Sequence, residues 1–380
     1  MNILIDIRLL GRGGLSGIEE YTRQVVNNLL EAGGENKYFL FYNGLRKKNL
    51  PEEWLNRENT EIIDWKIPNR LLDACSRFLA MPAIDRVVKT DVVFSPHFNI
   101  LKTAQAPHII TFHDLSFIHH PYFFRARDKF WNWLQNYKKQ AAGAHIIADS
   151  EFTKRDLIST LGLRAEKITV VYPGIEANLR RLSANDAGLQ IFRLKYGLTK
   201  PYILYLGTLE PRKNVTAAIL AFNLVKKEPK FKDLKLVLAG RPGWLYKDIL
   251  KTIAVSPYKA DIVRLGPVEN SEKVFLYNGA SVFIYPSFFE GFGFPPLEAQ
   301  ACGVPVVISD RTSFAETIGE SGIRVNPWRV NELAQAIDSL IKNSETKEKF
   351  RLRGDKNAAR FSWKNTALEL LRIFETNNAK

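Results

Sequence analysis

Short apolar runs punctuate the first half of the chain at 2–7, 38–42, 91–95, 108–112, 145–148 and 168–172. Runs of this length without polar alternation predict strands buried on both faces. Between them, apolar residues return at helical spacing. Over 18–30, Tyr21, Val25, Val26, Leu29 and Leu30 share one face. Residues 71–89 and 123–142 also read as helices, the second carrying Trp131, Trp133, Tyr137 and many basic side chains. Ser150 is placed to cap a helix over 151–161. Residues 44–70 show no assignable period.

The rhythm breaks at 176–200, which predicts a domain boundary and two units, 1–180 and 181–380. It then resumes with strands at 202–206, 235–239, 261–265, 282–285 and 306–308. A helix starts at Val215, and Ser362 is expected to cap a last helix over 363–374. Strands alternating with helices on both sides of the boundary predict an α/β protein of two Rossmann-like, doubly wound parallel sheets. The default site is a cleft between the two halves.

The stretch SVFIYPSFFEGFGFPPLEAQACGVPVVISD, 281–310, carries the densest candidate chemistry. Its strand opens into Glu290-Gly291-Phe292-Gly293-Phe294. Pro295 and Pro296 then start a helix, where their missing N–H groups cost nothing, with Glu298 expected in the first turn. Gly291 and Gly293 let backbone donors approach a ligand closely. A helix N-terminus favours phosphate, whereas Glu290 and Glu298 repel phosphate and accept hydrogen bonds from hydroxyls. Phosphates in the middle and hydroxyl-rich rings at both ends describe a nucleotide-sugar. A lone Gly-x-Gly would read as an ordinary strand-to-helix turn; two acids and two prolines beside it favour a site.

Further candidates stand at strand ends, where open α/β sheets bind ligands. Arg212 and Lys213, in GTLEPRKN at 207–214, lie beside a helix start and suit a phosphate. His113-Asp114 ends the strand 108–112. Gly11-Arg12-Gly13-Gly14-Leu15-Ser16-Gly17 is a glycine loop between strand and helix, but it is neither a dinucleotide fingerprint nor a P-loop. Gly240 and Gly266 end two strands of the second half.

At 380 residues, with 46% hydrophobic and 25% charged positions, the composition is that of a globular protein of two domains. No apolar run is long enough for a membrane span, and no signal peptide is evident. Cys75 and Cys302 make no disulfide framework, so a cytoplasmic location is expected. The net charge of +14 is spread over both halves. Anionic small molecules and peripheral contact with an anionic membrane face are compatible partners, whereas no stripe of interleaved basic and aromatic residues supports nucleic acid.

Glu290 and Glu298, with seven residues between them in EGFGFPPLEAQACGVPVV, resemble the E-x7-E motif of retaining glycosyltransferase family four. GTLEPRKN looks like that family's diphosphate-binding segment, and the N-terminal glycine loop and TFHDLSF at 111–117 are also similar. The resemblance spans nearly the whole chain. It implies the GT-B architecture, two Rossmann-like domains facing a cleft, with the donor on the second half and the acceptor on the first. The last helix would cross back to the first domain. Glu298 would bind ribose hydroxyls, and Glu290 with the backbone of Gly291, Phe292, Gly293 and Phe294 would hold the transferred sugar. Arg212 and Lys213 would hold the diphosphate, with Gly207 and Gly266 at the donor site, Gly14 near the phosphates or acceptor, and His113 beside the sugar. By this resemblance His113, Glu290, Arg212 and Lys213 would form the catalytic set. No D-x-D occurs, so no metal and no other cofactor is expected. HDL and EPRKN look most like the mannosyltransferases that build bacterial surface polysaccharides, with GDP-mannose as donor and a glycan or lipid-linked glycan as acceptor. A UDP-sugar-dependent transferase, a sugar-nucleotide epimerase and a non-catalytic nucleotide-sugar-binding protein are the competing readings.

Overall fold

The computed structural model describes residues 1–12, 17–44, 50–78, 81–98, 101–124 and 137–379. Among the described residues there are thirteen strands, eleven from the apolar runs and two, β3 and β13, outside them: β1 Asn2–Asp6, β2 Lys37–Phe41, β3 Thr60–Ile63, β4 Val92–Ser95, β5 His108–Phe112, β6 His145–Ala148, β7 Ile168–Val170, β8 Tyr202–Leu206, β9 Lys235–Ala239, β10 Ile262–Gly266, β11 Val282–Tyr285, β12 Val306–Ser309 and β13 Ile323–Val325. The first seven make one sheet, in the order β3-β2-β1-β4-β5-β6-β7. The remaining six make another, β10-β9-β8-β11-β12-β13. Every pairing is parallel. Central strands are apolar on both faces because helices cover both; all five residues of β8 are buried.

Of the described residues, those within Met1–Leu115, Trp131–Gly174 and Ser362–Lys380 form one compact unit, and those within Ser116–Phe130 and Ile175–Phe361 a second. In the first unit the helix Gly17–Ala32 buries Tyr21, Val25, Val26, Leu29 and Leu30, the face its spacing predicts. The helix Trp363–Asn378 packs beside it, with Trp363 edge-on to Tyr21 at 5.7 Å. Ser150 Oγ accepts from the Thr153 N–H at 3.0 Å and caps the helix Glu151–Leu161.

Several elements differ from the pattern-based reading. The expected helix over 71–89 is two helices, Asn69–Phe78 and Ile84–Val87, with Pro82 between them; a proline cannot continue the ladder. Of the expected helix over 123–142, Pro121–Phe123 is a 3-10 turn followed by extended backbone at Phe124, Tyr137–Ala142 is helical, and 125–136 lie outside the described residues. Trp131 and Trp133 lie outside the described residues, as do Gly13 and Gly14 of the glycine loop. The unassigned stretch 44–70 contains the helix Glu52–Leu55 and the edge strand β3, whose half-solvated residues give no apolar run. The break at 176–200 holds the helix Ala187–Lys195, capped by the Asp186 carboxylate accepting from the Leu189 N–H at 2.9 Å. Ser362 makes no side-chain capping bond, and the helix after it runs on to Asn378. Both cysteines are free thiols. Among the described residues no helix is long and apolar enough to cross a membrane.

Candidate active site

Each sheet has one point where the chain reverses direction: β1 beside β4 in the first, β8 beside β11 in the second. Connections from the two strands diverge there and leave a crevice outside their carboxyl ends. The segments singled out in the second half, Gly207–Asn214 and Pro286–Gly293, are the loops that leave β8 and β11.

Glu210, in the first loop, is buried at 2% exposure and precedes the 3-10 turn Pro211–Lys213. Its Oε1 accepts from Arg212 Nε at 3.2 Å and lies 3.0 Å from Nη2. Arg212 Nη1 donates to the Phe289 carbonyl at 2.6 Å and stands 3.5 Å from Glu290 Oε2. Lys213 Nζ donates to Glu290 Oε1 at 2.6 Å and lies 5.2 Å from the centre of the Tyr285 ring. Ser287 Oγ donates to that same Glu290 oxygen at 2.6 Å. The two loops are also stitched by backbone, the Phe288 N–H donating to the Arg212 carbonyl at 2.9 Å. The result is two cations, Lys213 buried and Arg212 partly so, alternating with two buried carboxylates. Burial holds the Lys213 ammonium below its usual value, and the neighbouring Arg212 charge adds to this; Glu290 and Glu210 act the other way. Burial, with Glu290 and other carboxylates close by, pushes the Tyr205 and Tyr285 phenols well up and keeps them neutral.

The glycine loop then turns into the helix Phe294–Ala301. Gly293 has φ +91°, and a Cβ there would fall 2.4 Å from Phe314 Cε1, so only glycine fits without strain. Ser313 Oγ donates to the Glu290 and Phe292 carbonyls at 3.0 and 3.1 Å, and Thr317 Oγ1 to the latter at 3.3 Å. These bonds fix the loop backbone. The Phe292 ring is buried against Phe294 and Phe361, so a ligand at this loop would meet its main chain rather than its ring. The helix starts at Phe294, one position before the prolines, which puts Glu298 in the second turn rather than the first. Glu298 Oε2 accepts from the Tyr277 hydroxyl at 2.6 Å, and Oε1 lies 3.7 Å from Lys273 Nζ. Lys273 and Tyr277 are four apart on the helix Asn270–Asn278 and so share one face. Thus Arg212, Lys213 and Glu290 form one cluster, and Glu298 has partners of its own.

Gly207 follows β8, its N–H donating to the Ala239 carbonyl at 3.0 Å. Gly266, at φ +73°, ends the edge strand β10, two strands from β8. It stands apart from the charged cluster. Gly14 lies outside the described residues.

In the first unit His113 follows β5, with both ring nitrogens engaged. Nδ1 lies 2.6 Å from Asp149 Oδ2, and Nε2 lies 2.9 Å from the Pro96 carbonyl in the loop after β4. Both partners are acceptors, which requires an imidazolium donating from both sides. Burial works strongly against that charge, but the Asp149 carboxylate, helped by the Pro96 carbonyl and Asp114, raises the histidine above its usual value. A surface cavity of about 440 Å³ in this unit, lined by Lys37, Phe39, Glu61, Ile63 and Trp65 among others, holds none of the candidate residues.

Glu210, Ser287, Tyr277 and Lys273 were missed from sequence. Glu210 and Ser287 sit inside segments already singled out and were legible as polar residues between glycine, proline and charge. Tyr277 and Lys273 become visible only once their helix is known to face Glu298.

Residues 189–357 match the family described as Glycosyl transferases group 1. Residues 15–179 match the one described as Glycosyltransferase Family 4. O-antigen chain mannosyltransferase B of Escherichia coli is 30% identical over 271 residues, 70% of this chain and 70% of that protein. The serotype-specific mannosyltransferase WbdA of Escherichia coli is 26% identical over 242 residues, 63% of this chain but 29% of its own length. Among solved structures, sucrose-phosphate synthase of Thermosynechococcus elongatus superposes with TM-score 0.76 at 18% identity, over 100% of this chain and 99% of that one. WaaG, described as a glycosyltransferase involved in lipopolysaccharide biosynthesis, does so with TM-score 0.74 at 14% identity, over 98% and 99%.

Proposed function

This chain belongs to the group 1 glycosyltransferases, has the GT-B fold and is a hexosyltransferase, and from that premise we propose that it moves mannose from GDP-mannose, with retained anomeric configuration, onto a glycan or lipid-linked glycan in bacterial surface polysaccharide synthesis. The observation that carries the reading is the largely buried cluster of Glu210, Arg212, Lys213 and Glu290 at the β8–β11 reversal. Cations locked by carboxylates are oriented before any ligand arrives, so they stabilise the charge growing on a departing diphosphate without reorganising. The mannosyltransferase relatives support the choice of sugar.

In this mechanism the acceptor hydroxyl attacks the anomeric carbon on the face the diphosphate leaves. The sugar–phosphate bond breaks with its electron pair going to the phosphate oxygen, which takes the acceptor's proton. Arg212 and Lys213 stabilise the growing phosphate charge. Glu290 and the main chain of Gly291 to Phe294 receive the sugar hydroxyls, and Glu298 the ribose. His113 takes no proton-transfer role, because both of its nitrogens are committed; it positions the loops after β4 and β5. No metal is required in this scheme. The enzyme is placed in the cytoplasm, with peripheral contact at the inner membrane face where lipid-linked acceptors lie.

A panel of nucleotide-sugars, read by nucleotide release with and without acceptor, tests the reading. GDP-mannose is expected to give the fastest acceptor-dependent release. Faster release from a UDP-sugar would replace the donor, and binding without release would replace catalysis by sequestration.

A further inference from the structure

The second unit carries a large exposed aromatic that the mechanism above does not use. Trp328 follows β13 and is 68% exposed, although indole gains more than most side chains from burial. It is firmly held. Its ring packs on Phe288 with centroids 4.2 Å apart and planes 32° apart. Its backbone N–H donates to Asn326 Oδ1 at 3.0 Å, and the Pro327 carbonyl before it accepts from Asn214 Nδ2 at 2.8 Å. Phe288 is fixed in turn through its N–H bond to Arg212, and its ring lies nearly parallel to Phe123 at 5.9 Å. One indole face is thus presented to solvent, while the other rests on Phe288, two residues before Glu290 in the loop bonded to Arg212.

Its position relative to the charged cluster follows from the topology. The crossovers β8 to β9 and β11 to β12 run in opposite directions across the sheet, so right-handed connections place their helices on opposite faces. The helix Val215–Val225 packs with Val330–Lys342 on one face, and Phe294–Ala301 with Ser344–Ala358 on the other. Asn214 and Trp328 lead into the first pair, whereas Glu298 sits in the second. A donor with its ribose at Glu298 and its sugar at Glu290 therefore points its sugar end toward the Trp328 side.

We propose that Trp328, backed by Phe288, is a stacking platform for a pyranose ring of the acceptor glycan, beyond the transferred sugar. The proposal rests on the glycosyltransferase reading and names a subsite for it. A pyranose has one face of C–H bonds and a rim of hydroxyls. Laid on the indole it removes apolar area from water on both partners, while the rim stays solvated or meets the indole N–H. Continuity with the site and a single rigid ring face favour a sugar over a membrane, which would need a broader apolar surface.

The test compares the wild-type protein with Trp328→Ala and Trp328→Phe. Acceptor kinetics use mannobiose and mannotriose with saturating GDP-mannose, and GDP-mannose affinity is measured by calorimetry. Trp328→Ala is expected to raise the acceptor KM about tenfold, the scale of one lost stacking contact, with donor affinity unchanged and Trp328→Phe restoring most of the loss. An unchanged acceptor KM overturns the proposal. So does an unchanged KM accompanied by loss of sedimentation with phosphatidylglycerol vesicles, which assigns the indole to a membrane. If the wild type does not turn over GDP-mannose, the donor assignment fails by itself. Calorimetry of the same oligosaccharides then decides: binding lost in Trp328→Ala sustains the platform, and equal or absent binding in the wild type overturns it.

Discussion

Glu298 illustrates what a single residue can and cannot reveal on its own. Its spacing from Glu290 marks it as a candidate ligand carboxylate, but its geometry depends on Tyr277 and Lys273, which no motif indicates. Replacing Glu298 by alanine is expected to weaken GDP-mannose binding by about 1.5–3 kcal/mol, one charge-assisted hydrogen bond. Calorimetry on a variant with unchanged circular dichroism measures this, and unaltered affinity removes Glu298 from the ribose. His113 was legible as a strand-end histidine, whereas its state was not, because Asp149 and Pro96 reach it only through the sheet. Its pKa is raised above the usual 6.5 in the folded protein, so folding favours the protonated ring. The stabilisation is complete below pH 6.5 and is lost as pH rises through the raised native value. Melting midpoints measured from pH 6 upward should fall over that window, and His113→Asn should abolish this dependence. A wild-type profile as flat as the variant's would show that the Asp149 pair contributes nothing.

The strands were readable as elements because parallel sheets bury both faces and leave uninterrupted apolar runs. Legibility failed where that rule weakens: β3 is a half-solvated edge, and Pro82 splits what helical spacing alone would join. At Ala187–Lys195 the capping aspartate was present in the sequence, but the helix buries only Leu189 and Phe192 and carries a thin apolar stripe. The glycine loop was identified from its composition. The reason for Gly293 emerges only with Phe314, which is fully buried and has no room to yield. Gly293→Ala should therefore destabilise the protein by about 1–3 kcal/mol, the usual cost of such backbone strain. Urea denaturation reads this directly, and an unshifted midpoint would mean that the loop relaxes.

For the whole molecule, alternation of strands and helices on either side of a break was enough to foresee two doubly wound sheets. Strand order was not readable, because pairing depends on contacts distant in sequence. Yet strand order gives the candidate residues their meaning: β8 and β11 become neighbours only in the folded sheet, and their loops bring Lys213 to Glu290 across 77 residues of chain, with Arg212 bridging Glu290 and Glu210 beside them. The sequence alone presents Arg212 and Lys213 as cations awaiting a phosphate. In the fold each is already paired with an acid, which makes them oriented charges rather than mobile ones. Acceptor-dependent GDP release measured in excess chelator, for the wild type and for Arg212→Ala and Lys213→Ala, tests this most directly. The account predicts an undiminished wild-type rate and a loss of about 2–4 kcal/mol in transition-state stabilisation for each variant, as for removal of one oxyanion donor. If the chelator abolishes transfer and added magnesium or manganese restores it, a metal carries the diphosphate charge, and the role given to Arg212 and Lys213 is wrong.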